Sequence, residues 1–165
     1  MFRVQTNKTY LHKRCEIQTD ILRNRECINK IRTYLTVNKN KAIGIAANQL
    51  FMTNRIFGIR YGGIQNSKIR TFINPRIISQ NGEQISSEGC MSIKAGKKHY
   101  HVKRPESITI QPDNMDNPET FEGYYATVIA HEMDHLNGIL ISDLISGGPN
   151  IIISLGTKTI DEDKE

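Results

Sequence analysis

His131-Glu132-Met133-Asp134-His135 constrains this 165-residue chain more than any other feature. Histidines four apart on a helix point to one face. Both imidazoles then reach a single metal ion, and the intervening glutamate lies close enough to act on a water held there. The apolar periodicity predicts a helix over 123–137, with Gly138 as its stop. Five histidines in 165 residues make an incidental pair in this pattern uncommon. Asp134 reads either as a surface carboxylate or as support for a histidine from behind.

Two histidines do not complete a catalytic centre, which usually has three protein ligands and one open position. A third histidine six residues beyond His135 would extend the motif, but that position is Ile141. A downstream glutamate is available only as Glu162 or Glu165, in a charged tail. The remaining candidates lie upstream. Glu88-Gly89-Cys90-Met91-Ser92 offers a thiolate, a strong ligand for zinc or ferrous iron, on a backbone that glycine lets turn tightly. The alternative for Cys90, and the expectation for Cys15 and Cys27, is a small buried apolar side chain. A third segment, Gly44-Ile45-Ala46-Ala47-Asn48-Gln49, sets small residues before a primary amide. Backbone can approach a substrate there, and Gln49 can donate to a developing oxyanion. By itself this segment reads equally as tight packing.

Around these segments the periodicity predicts a helix over 20–38, with Ile21, Ile28, Ile31 and Leu35 on its inner face and Asp20 or Thr19 as cap. Strands are expected over 55–61, 69–74, 76–79 and 107–111, with turns at Asn74-Pro75, Asn81-Gly82 and 112–118. The first twenty residues read as an irregular lead-in and the acidic tail as frayed. Helix, strands, then helix gives an α+β class rather than alternating βαβ units. The length fits one domain, 1–165, with its core over about 15–145 and a flexible tail over 155–165. No run is long and apolar enough to span a membrane, and no secretory signal is visible. Three cysteines without such a signal point to a reducing compartment. The net charge of +5 and pI near 9.2 suit an anionic neighbour such as RNA or the ribosome, although a generally basic protein would look the same.

Taken together and in this order, Ala42–Gln49, Glu88–Ser92 and Ala130–Gly138 resemble the three signature motifs of the peptide deformylases: Gly-x-Gly-x-Ala-Ala-x-Gln, Glu-Gly-Cys-Leu-Ser and Gln-His-Glu-x-Asp-His-Leu-x-Gly. The resemblance covers about residues 20–145. It implies a compact α+β fold with strands wrapped around a central helix that carries both histidines. It also implies a hydrolase that removes the N-formyl group from the N-terminal methionine of nascent polypeptides and releases formate. By position, Cys90, His131 and His135 match the metal ligands and Glu132 the general base and acid. Gln49 and the backbone N–H of Met91 match the oxyanion donors, and Gly44 a backbone contact to substrate. One divalent ion per chain is implied, ferrous iron first, with Zn2+, Ni2+ or Co2+ as substitutes.

The implied methionine pocket falls near Ile43, near Ile85, Ser86, Glu88 and Gly89, and near Tyr124, Thr127 and Val128 on the helix. Thr127 and Ser86 make that lining more polar than an all-aliphatic one, unless their hydroxyls bond to backbone. The sequence departs from the family pattern at Ala42, Met91, Ala130 and Lys97. Ala130 takes an amide away from Glu88, and Arg104 is the candidate to replace it. The implied partners are formylmethionyl peptides and, transiently, the ribosome, with no DNA or membrane partner and a monomeric chain. The implied location is the cytoplasm of a bacterium or phage-infected host, or an organelle. A metalloprotease and a catalytically silent relative are the competing readings. Formate release separates the first reading from both, and casein cleavage would favour the protease.

Overall fold

The computed structural model describes residues 3–62, 66–93 and 99–145. Lys97 and the acidic tail lie outside the described residues. The architecture is α+β: helices α1 (Lys8–Leu11), α2 (Ile21–Val37), α3 (Gly123–Leu136) and α4 (Ile141–Ile145) accompany eight strands. All strand pairing is antiparallel. Strands β1 (Gly44–Ala46), β2 (Ile56–Tyr61) and β3 (Lys68–Ile73) form one sheet in that order. Strands β4 (Arg76–Asn81), β7 (Ser107–Gln111) and β8 (Glu119–Glu122) form a second, and β5 (Gln84–Glu88) with β6 (Tyr100–Arg104) a third.

Helix α3 is the central element, because its sequence is apolar nearly all round. Ala126, Ile129, Met133 and Leu136 are buried against Phe57, Phe72, Ile108, Ile110 and Phe121 of the sheets. A helix wrapped this way brings even its polar positions, Thr127, Glu132, Asp134 and His135, out of water. It stops where expected. Gly138 has φ 75, and a Cβ there would collide with the carbonyl of His12. The chain therefore needs glycine both for the left-handed turn and for the close approach of the N-terminal segment.

Helix α2 covers the first sheet. Asp20 caps it by accepting from the N–H groups of Leu22 and Arg23 at 2.8 and 3.1 Å. Its inner face is Asn24, Cys27, Ile31, Tyr34 and Leu35, packed on Ile45, Leu50 and Ile56. The expectation that Ile21 belongs to this face is wrong. Ile21 lies about 80° around the helix from Ile31 and is 80% exposed. The face turns toward Asn24 because that amide is satisfied inside, donating to the carbonyl of Gln18 and accepting from Asn54. The expected irregular lead-in is also corrected. It contains the single turn α1, and Glu16 pairs with Asn54 in a parallel bridge. Strands β1, β5, β6 and β8 went unpredicted. β1 and β8 are short, and β5 and β6 are too polar to alternate cleanly. Cys15 and Cys27 are buried apolar side chains, as expected.

Candidate metal centre

The i, i+4 pair on α3 stands with ring centroids 5.0 Å apart. Strand β5 ends at Glu88, and the turn after it carries Cys90 toward the helix, with Sγ 3.3 Å from His135 Nε2. One ligand atom each from Cys90, His131 and His135 lies within 4.8 Å of the others. Ligands at ordinary metal–sulfur and metal–nitrogen distances around a tetrahedral ion stand about 3.4–3.6 Å apart. The donor set, a thiolate with two imidazoles, and its spacing therefore fit a single transition-metal ion.

Behind the ligands stands a buried ionic chain. His131 Nδ1 pairs with Glu88 Oε2 at 2.8 Å, which leaves Nε2 for an ion. Arg104 of β6 forks onto both Glu88 oxygens at 2.7 and 3.0 Å and reaches Asp134 Oδ2 at 2.6 Å. Arg104, Glu88 and Asp134 are all buried, so these are charge-assisted bonds in low dielectric. Burial alone would raise Glu88, but the His131 bond and Arg104 outweigh it and hold the carboxyl at about 2. The chain locks the β5–β6 hairpin, and with it Cys90, onto α3. Asp134 thus supports the site through Arg104 and not through a histidine.

Glu132 is buried on the same face as the ligands, and its Oε2 has no partner. Burial, aided by the nearby Cys90 sulfur and Glu88, pushes its pKa up to about 7 against the pull of both histidines. Its carboxylate lies against Gly44, where any Cβ would overlap it. The short helical turn Ala47–Leu50 follows β1 and is tied to the end of α3 by Asn48, whose Nδ2 donates to the His135 carbonyl at 2.6 Å. Gln49 is oriented by the Ala46 N–H, which donates to its Oε1 at 2.9 Å. Its Nε2 is thereby directed at Ser92 Oγ, 3.0 Å away, and at Cys90 Sγ, 3.9 Å away.

A groove of about 1050 Å³ opens over these groups. Gly44, Gln49, Cys90, Met91, His131 and Glu132 reach it, as do Ile43, Ser86, Glu88 and Gly89, and Tyr124, Thr127 and Val128 from the helix. The fully buried His135 completes the ligand cluster behind it. The Ser86 hydroxyl is committed to Glu88 at 2.5 Å. The Thr127 hydroxyl makes no hydrogen bond among the described residues, so its polarity stays available to the groove. Sequence reasoning missed Asn48 and Ser92, although both lie inside the motif segments. It also missed Asn40, Lys41 and Tyr100 at the groove's edge. Only contact across the fold distinguishes these.

Fold and site together give an α+β domain whose H-E-x-x-H helix and upstream Cys90 bring three side chains together that could hold one metal ion, the arrangement of a metallohydrolase. The sequence model of the polypeptide deformylase family matches residues 3–149. "Peptide deformylase 1" of Clostridium perfringens is 34% identical over 141 residues, 81% of this chain and 89% of that one. A Bradyrhizobium peptide deformylase is 36% identical over 122 residues, 68% of this chain and 69% of its own. The crystal structure of peptide deformylase from Thermotoga maritima matches with TM-score 0.74 and 29% identity over 88% of this chain and 98% of that one. A probable peptide deformylase from Synechococcus phage S-SSM7 shares the fold at TM-score 0.76 and 24% identity, over 87% and 99% of the two chains.

The chain belongs to the polypeptide deformylase family. It is a metal-dependent hydrolase that removes the N-formyl group from nascent polypeptides. Among the described residues, no helix is long and apolar enough to cross a membrane.

Proposed function

We propose that Cys90, His131 and His135 hold a ferrous ion and that Glu132 is the group that moves the proton. A bound ion of this kind supplies Lewis acidity and a more acidic water. Glu132 takes a proton from the attacking water as its oxygen bonds to the formyl carbon. It returns that proton to the amine nitrogen as the C–N bond breaks, so that formate and a free N-terminus result. A carboxyl poised near pH 7 suits both directions of transfer. The observation that carries this role is the buried, unpartnered Oε2 of Glu132 beside the three ligand atoms.

Gln49 Nε2 and the Met91 N–H are the donors for the oxyanion, each contributing on the order of 3 kcal/mol. Gly44 presents its backbone to the substrate chain. The first side chain, methionine, enters the pocket formed by Ile43, Ser86, Glu88 and Gly89 with Tyr124, Thr127 and Val128. The chain works as one catalytic domain and as a monomer, in transient contact with the ribosome, in the bacterial or phage-infected cytoplasm or an organelle. Replacing Glu132 with Gln tests the central role. The variant keeps its metal by elemental analysis and loses formate release by 100-fold or more, on the order expected for a proton-transfer group. Normal turnover removes Glu132 from the mechanism, and equal loss of metal and activity makes it a ligand.

A further inference from the structure

Strand β1 lies at the edge of its sheet and pairs only with β2. The Arg60 N–H donates to the Ile43 carbonyl at 2.7 Å. Successive residues of a strand direct their hydrogen-bonding groups to opposite sides, so Gly44 turns its N–H and C=O away from β2. Gly44 lines the groove beside Glu132, and Gln49 follows from the other end of β1. An extended peptide can add to such an edge. With its formyl group at Glu132 and Gln49, the peptide leaves the metal end past Gly44, Ile43 and Ala42 toward Asn40 and Lys41. Lys41 stands three residues before Gly44, at most roughly 10 Å of chain. A substrate whose methionine sits beside Gly44 therefore brings its third and fourth residues level with Lys41.

That end of the groove carries a lone fixed charge. Among the described residues, Lys41 is the only lysine or arginine in the wall, and Glu88 and Glu132 are the only carboxylates. Glu88 is bound by Arg104 and His131, and Glu132 belongs to the metal end. Lys41 is exposed and in no ion pair among the described residues. We propose that Lys41 is a specificity-determining residue, which favours formylmethionyl chains with an acidic side chain at residue three or four. The inference rests on the deformylase reading of the groove and names the chains it takes best. A carboxylate at that point meets an unpaired ammonium, with the Asn40 amide beside it, whereas a lysine or arginine is repelled. The contact lies away from the reacting bond and is made equally before and during the reaction, so it acts on KM and leaves kcat nearly constant across substrates.

The test measures kcat and KM of the metal-loaded enzyme on formyl-Met-Ala-X-X-amide peptides with X as Glu, Gln or Lys. The amidated end removes a terminal carboxylate that Lys41 would also attract. In low salt, about 20 mM, wild type prefers Glu over Gln by about threefold to tenfold in kcat/KM and takes Lys least well. At about 500 mM salt the spread narrows to within about twofold, as screening of an exposed charge requires. Lys41→Met flattens the profile and Lys41→Glu inverts it. Arg76→Glu makes the same change in net charge at an exposed position outside the groove wall, and keeps the wild-type order. A flat wild-type profile overturns the proposal. A preference for Glu that survives in both Lys41 variants also overturns it, because the charge then lies elsewhere. An equal change in Arg76→Glu does the same, since net charge and not Lys41 is then responsible. Failure of wild type to release formate from the Gln peptide would sink the catalytic reading instead, and affinities of the three peptides by NMR titration would still decide Lys41.

Discussion

Replacing Arg104 with Met removes the cation that ties the β5–β6 hairpin to α3 and leaves Glu88 and Asp134 buried without their counter-ion. The magnitude can be worked in two ways. Holding Glu88 at about 2 against an ordinary 4.5 corresponds to about 3 kcal/mol, supplied by the His131 bond and by Arg104 together, so it is an upper bound for the loss of Arg104. Breaking a buried pair by deleting one partner costs about 3–5 kcal/mol. The two meet at about 3 kcal/mol, which for a chain of this size corresponds to a fall in Tm of roughly 10 °C.

The pH dependence has a definite sign. The folded pKa of Glu88 is depressed, so its contribution is fully present above about 4.5 and is lost as pH falls through about 2. The gap in stability between wild type and variant is therefore widest near neutrality and closes in acid. Urea unfolding of the metal-free proteins from pH 7 to 3 measures it. In the loaded enzyme, loss of the fixed Glu88–His131 bond weakens metal affinity about 10–100-fold. Arg104→Lys restores the charge but not the fork and falls between the two. A variant within 1 kcal/mol of wild type at pH 7, with unchanged metal affinity, would refute the view that this chain positions the ligands.

Gly44→Ala places a methyl against the Glu132 carboxylate. It should lower kcat at least tenfold with metal content unchanged, whereas an unaltered kcat would mean that Glu132 is not held where its role requires. The thiolate-bound ferrous enzyme should lose activity in air and the nickel-exchanged enzyme should not; equal lifetimes with and without oxygen count against iron. Thr127→Ile should steepen the preference for formyl-Met over formyl-Ser peptides, by up to about 1–3 kcal/mol in kcat/KM. An unchanged profile would show that the Thr127 hydroxyl does not face the first side chain.

Much of the site is written locally. His131, Glu132 and His135 share a helix face by spacing alone, and helical periodicity places that helix within a residue of its observed end. The α2 cap at Asp20 and the stop at Gly138 follow from short-range backbone chemistry and are equally legible. The α+β class follows from the order of such segments. Singling out Cys90 as the candidate third ligand took the joint pattern of three motifs, because a lone cysteine reads the same whether it is buried or coordinating, and the structure places it with His131 and His135. What the sequence could not determine is what meets across the fold. Ile21 looked like core and is solvent-exposed, because the α2 face is set by Asn24 bonding to Gln18 and Asn54. Arg104 could be guessed as a partner for Glu88, but its second bond, to Asp134, exists only because β6 packs beside α3. The bond from Asn48 to the His135 carbonyl spans 87 residues and has no local signature. Helix spacing and caps are decided by neighbours along the chain, whereas buried polar groups are satisfied by whichever partner the packing brings near.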